Sequence, residues 1–83
     1  MTFDSLPFVK ITNGVRSNWN VAPSGDYADD CATGAAYFAQ LKSVVDATGN
    51  LQLVPYVLHD MIRSGEANGI EVGFLTAMSA SLA

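Results

Sequence analysis

The dipeptide Asn13-Gly14, set between two short runs of alternating polarity, constrains this chain more than any other feature. Phe8-Val9-Lys10-Ile11 stands before it, and Val15-Arg16-Ser17-Asn18-Trp19-Asn20-Val21 follows. A two-residue hairpin loop needs positive φ at both central positions, which Asn and Gly tolerate at little steric cost. The pattern therefore predicts two short strands and a tight turn. A two-stranded hairpin is marginal on its own in water, so it must dock on something. Phe8, Ile11, Trp19 and Val21 are the side chains expected to dock it.

The rest of the chain reads as helix. Ala22-Pro23-Ser24-Gly25-Asp26 is a loop in which Ser24 or Asp26 can cap the free N–H groups of a first turn. Tyr27, Cys31, Gly34, Ala35, Phe38, Leu41 and Val45 then recur at helical spacing, and Gly49 is a natural terminator. This predicts a helix over about 26–47. Gly34 costs roughly 1 kcal/mol relative to Ala inside a helix, and its place on the apolar stripe predicts another element packed closely there.

A second helix is predicted over about 53–64, with Val54, Val57, Leu58, Met61 and Ile62 inward. Pro55 fits if it lies in the first turn. Arg63 suits the negative end of the macrodipole, and Gly65 ends the helix. After a turn at Glu66-Ala67-Asn68-Gly69, a third helix is predicted over about 69–82, with Ile70, Phe74, Leu75, Met78 and Leu82 inward. Gly69 and Gly73, four apart, would let a neighbouring helix approach. The fold expected is α+β: one domain, 1–83, with an N-terminal two-stranded hairpin packed on three helices.

Composition agrees with a single small domain. The chain has 83 residues, 49% hydrophobic and 14% charged. A chain this short hides only about 60% of its unfolded surface, but this apolar content supports one core without metal or disulfide. It also lies far from the low-hydrophobicity, high-charge regime of disorder. Cys31 is the only cysteine, so no internal disulfide can form and a reducing, cytoplasmic setting is expected. The opening run MTFDSLPFVKITNG lacks the basic and apolar regions of a signal peptide. No stretch reaches the ~18 apolar residues of a membrane span.

Charge narrows the partner. The formal net charge is −4. From Asn20 onward seven acids, Asp26, Asp29, Asp30, Asp46, Asp60, Glu66 and Glu71, face two bases, Lys42 and Arg63. In residues 1–19 Asp4 faces Lys10 and Arg16. The pI of about 4.4 opposes direct binding to nucleic acid, where affinity comes from neutralising phosphates. It favours attraction to a basic protein groove. Asp26, Asp29 and Asp30 fall in the first turn of the first predicted helix. There they act as caps and macrodipole partners, worth about 0.3–1 kcal/mol each when exposed, or as the centre of an anionic patch. That patch would be extended by Asp4, Asp46, Asp60, Glu66 or Glu71 where the fold brings them near. Carboxylates held on rigid helices suit such a role because little ordering entropy remains to be lost on binding.

Catalytic readings find little support. DYADD lacks the twelve-residue calcium loop with its central Gly and terminal Glu. His59 and Cys31 lie on different predicted helices without an oxyanion motif, and one His with one Cys falls short of a zinc site. The glycines match no phosphate-binding loop. A helix-turn-helix reading of the second and third helices fails because nothing after Asn68 offers Arg, Lys, Asn or Gln to bases or phosphates. Tyr27, Tyr37 and Tyr56 suit either interface anchoring or packing with the hydroxyl outward. No enzyme, cofactor or metal is expected.

The run NWNVAPSGDYADDCATGAAYFAQL, with GIEVGF further on, resembles small phage-encoded accessory proteins. In size and charge the whole chain resembles the anti-CRISPR proteins of phages, with a lean toward type I-C inhibitors. The resemblance implies a stoichiometric inhibitor in the cytoplasm of the infected bacterial host, a monomer bound to a protein subunit of a type I CRISPR surveillance complex. It further implies an acidic surface standing in for DNA on a basic face. A mixed interface with an apolar centre fits the modest charge equally well. The alternative is a phage regulatory or structural accessory that binds a phage or host protein through an apolar face.

Overall fold

The computed structural model describes residues 2–65 and 68–82. A short 3-10 turn, Phe3–Ser5, leads into strands β1 (Lys10–Thr12) and β2 (Val15–Ser17), followed by helices α1 (Tyr27–Thr48), α2 (Leu53–Ser64) and α3 (Gly69–Ser81). This is the α+β hairpin-and-three-helix arrangement predicted. The strands are antiparallel, with Lys10 opposite Ser17, Ile11 opposite Arg16 and Thr12 opposite Val15. Asn13 (φ 51°) and Gly14 (φ 76°) both adopt the left-handed conformation that the two-residue loop requires.

The helix ends follow local chemistry. Asp26 caps α1, its Oδ1 accepting the Asp29 N–H at 3.1 Å. Gly49 and Gly65 close α1 and α2 in the left-handed conformation. Pro55 sits in the first turn of α2, where no intrahelical donor is lost. Asn68 caps α3, its Oδ1 accepting from Ile70 N–H (2.9 Å) and Glu71 N–H (3.2 Å).

The scaffold is a seam between α1 and α3 in which backbone meets backbone. A Cβ added at Gly34 would strike the Ile70 carbonyl and stand 2.6 Å from the Phe74 nitrogen. One added at Gly73 would strike the Cys31 carbonyl. The close approach expected at Gly34, Gly69 and Gly73 is thus one contact, made from both sides. Around it, rings from three regions interlock. Phe8 lies 5.3 Å from Trp19 and 5.2 Å from Tyr37, and Phe74 lies 5.1 Å from Trp19 and 5.5 Å from Phe38, all tilted or edge-on. Such pairs add about 0.5–1.5 kcal/mol each beyond their burial. Leu53, Val57 and Met61 bury the inner face of α2.

Several expected core positions lie outside it. Ile11 is 56% exposed. The hairpin docks through the segments flanking it, with Leu6, Phe8 and Val9 before and Trp19 after, so the strands extend past the core and only three of the four expected docking side chains engage. Tyr27 is largely exposed because α1 begins beyond the core, where its ring edges along Gly69. Ile62 is 79% exposed. The buried line of α2 runs in steps of four through Leu53, Val57 and Met61, and Ile62 falls about 100° off it. Leu75 sits beside rather than on the inward line of α3, and Leu82 lies past its last turn. Among the described residues no helix is long and apolar enough to cross a membrane.

Candidate partner-binding surface

The acids expected to form one patch have different employments. Asp30 is 5% exposed. Its Oδ1 accepts from both the Ser24 N–H (3.0 Å) and the Ser24 hydroxyl (2.8 Å). The Ser24 Oγ in turn accepts the Asp26 N–H at 3.2 Å, so the loop before α1 is hooked onto the helix it opens. Glu71 is 3% exposed. Its Oε1 accepts the Asn68 N–H (3.0 Å) and its Oε2 the Ser64 hydroxyl (3.3 Å), closing a capping box and tying the end of α2 to the start of α3. The expectation that Asp30 and Glu71 face a partner is corrected: both carboxylates turn inward because backbone donors at two helix starts need acceptors there.

The other acids are scattered. Asp26 and Asp29 are exposed together at the start of α1. Asp46 pairs with Lys42 at 3.0 Å on the outer face of α1. Asp60, on α2, accepts the Asn18 N–H through Oδ2 at 2.7 Å, and its Oδ1 lies 3.5 Å from His59 Nδ1. Glu66 lies outside the described residues. Of the six acids after Asn20 among the described residues, the structure brings only Asp26, Asp29 and Asp30 together, with Asp30 buried beneath.

His59 is exposed on α2, while Cys31 is half-buried on α1. Cys31 meets Tyr27 one turn earlier, and hydrogen bonding with the Cys31 side chain, followed by its electrostatic influence, raises the pKa of the Tyr27 phenol above its ordinary value. Among the described residues no three or more His, Cys, Asp or Glu side chains form a group able to hold a metal.

Charge counting overlooked a groove of about 340 Å³ between the hairpin and α2. Val15, Arg16, Ser17 and Trp19 form one wall, and Asp60 and Arg63 the other. Arg16 is held by an ion pair with Asp4 and lies over the Phe3 ring, 5.6 Å from its centroid. Arg63 makes no ion pair among the described residues. The available signal was Val15-Arg16-Ser17, a strand of a sheet too small to cover both its edges. Nothing in the spacing of Arg63, 47 residues from Arg16, announced their meeting. Comparison with protein-family models, with curated proteins and with solved structures gives no match.

Proposed function

We propose that this chain is a non-catalytic protein-binding module, and that its role is stoichiometric inhibition of a type I CRISPR surveillance complex. The observation that carries the binding role is the hairpin. Ile11 points to one face of it and Val15, 71% exposed, to the other. A free-standing two-stranded ribbon with an uncovered β-branched side chain on each face is poorly explained by stability alone, and well explained by contact with another protein. The target class and the setting, the cytoplasm of an infected bacterium, rest on the resemblance of residues 18–41 and 69–74.

The carboxylates support a mixed interface more than a pure imitation of DNA. Asp26 and Asp29 offer an anionic edge, but Asp30 and Glu71 are buried as internal hydrogen-bond acceptors. The alternative, an accessory protein bound to a phage or host partner through apolar contacts, draws on the same exposed Ile11 and Val15. Salt separates the two, because exposed charges are screened beyond about 8–10 Å at physiological ionic strength.

Mixing the purified chain with a surveillance complex should give co-elution on size exclusion and a stoichiometric loss of target-DNA capture. Ile11→Asp with Val15→Asp should abolish both while the circular dichroism spectrum is kept. Absence of co-elution and of inhibition at micromolar concentration rejects the inhibitor role. Salt-insensitive binding to a different protein favours the alternative.

A further inference from the structure

We propose that the groove between β2 and α2 takes an extended, acidic segment of a partner protein, added as a third strand on the open edge of β2 with a carboxylate on Arg63. This deepens the protein-binding reading above and rests on it. The sheet has two strands, so β1 covers one edge of β2 and no strand covers the other. The two-residue turn closes on the Thr12–Val15 pair, which is hydrogen-bonded in such turns. Pairing alternates along an antiparallel ladder, so the Arg16 N–H and C=O point away from β1. Asn18, at the bend just past β2, gives its N–H to Asp60 of α2 at 2.7 Å. The edge is thus closed by α2 at Asn18 and open at Arg16, which lines the groove.

Charge selects the occupant. Of the four bases in the chain, Lys42 is paired with Asp46. Arg16, which lines the groove, is paired with Asp4. Asp60 is engaged by the Asn18 N–H, and Arg63 has no ion-pair partner among the described residues. Arg63, which also lines the groove, is thus the base there left for a carboxylate, which favours an acidic strand over a basic one. Strand addition supplies main-chain hydrogen bonds, and alternate side chains supply selectivity. The brevity of β2 and its neighbouring charges discourage indiscriminate edge pairing, leaving an acidic strand as the one that gains from the site.

The probe is a short capped peptide of alternating Glu and Val, with the Lys and Val counterpart as control. Each is titrated into the isotope-labelled full chain while backbone amide shifts are followed. Trp19, the single tryptophan and a wall of the groove, gives a second readout by emission. The acidic peptide should shift the amides of Val15 to Ser17 and of Arg63, and bind at least tenfold more tightly than the basic one. Arg63→Gln should weaken it about tenfold, or about 1.4 kcal/mol. Arg16→Pro removes an outward N–H that makes no ladder bond and should abolish binding, whereas Arg16→Ala should keep more of it. No shift at these amides with millimolar acidic peptide, equal binding of both peptides, or an unaffected Arg63→Gln overturns the proposal. Capture of a surveillance complex by a chain that ignores the peptide sinks the groove alone. Peptide binding without capture sinks the target named above and leaves the groove standing.

Discussion

The seam between α1 and α3 and the hairpin beside α2 solve the problem of contact in opposite ways. In the seam, side chains are removed so that backbones touch: Gly34 meets Ile70 and Phe74, and Gly73 meets Cys31. At the hairpin, side chains are present and touch little, with Ile11 and Val15 largely in solvent. The lesson is that apolar character and structural importance have separated. Glycines, with nothing to bury, hold the scaffold together, while two β-branched residues made for burial remain outside. A region whose apolar groups are not needed for folding is free to be used for binding.

The sharpest way to break this comparison is a single methyl group. In an open helix Gly→Ala gains about 1 kcal/mol. At Gly34 or Gly73 the new Cβ meets main-chain atoms that cannot swing aside, and overpacking of this kind costs about 1–3 kcal/mol or more. Gly34→Ala and Gly73→Ala should each destabilise by roughly 3 kcal/mol, lowering the melting temperature by about 12 °C or more for a domain of this size. Thermal unfolding followed by circular dichroism measures it. A neutral or stabilising result would mean the helices are farther apart than described.

An intermediate effect is expected where loop and helix are hooked together. Asp30→Ala removes the acceptor of two Ser24 donors and should cost about 1–2 kcal/mol, the usual penalty for donors left without a partner. Urea titration reads this directly. A loss below about 0.5 kcal/mol would return Asp30 to the surface and restore it to a partner-facing role. The smallest effect belongs to the hairpin. Ile11→Thr with Val15→Thr should change stability by no more than about 0.5 kcal/mol per site, as for surface positions generally. A loss beyond about 2 kcal/mol would show that the hairpin is part of the core and end the contrast.

Much of this architecture was legible in the sequence because it is written in short-range rules. Asn13-Gly14 specified the turn, Pro55 and Gly65 bracketed α2, and the spacing of Gly69 and Gly73 announced a close neighbour. Asp30 was harder to read. An aspartate in a first helical turn looks the same whether it faces water or reaches back to a serine six residues earlier, and no local rule covers that distance. Glu71 carries a local signal, since Asn68 followed three positions later by Glu71 has the spacing of a capping box. The groove depended on two arginines brought together only by tertiary packing, which neither periodicity nor net charge reveals.

Where two helices meet through bare main chain, the glycines that make the room admit almost no replacement, so those positions are effectively closed to change. The outward residues of the ribbon carry no such restriction. A protein divided in this way can alter what it grips, one outward residue at a time, without renegotiating how it stands.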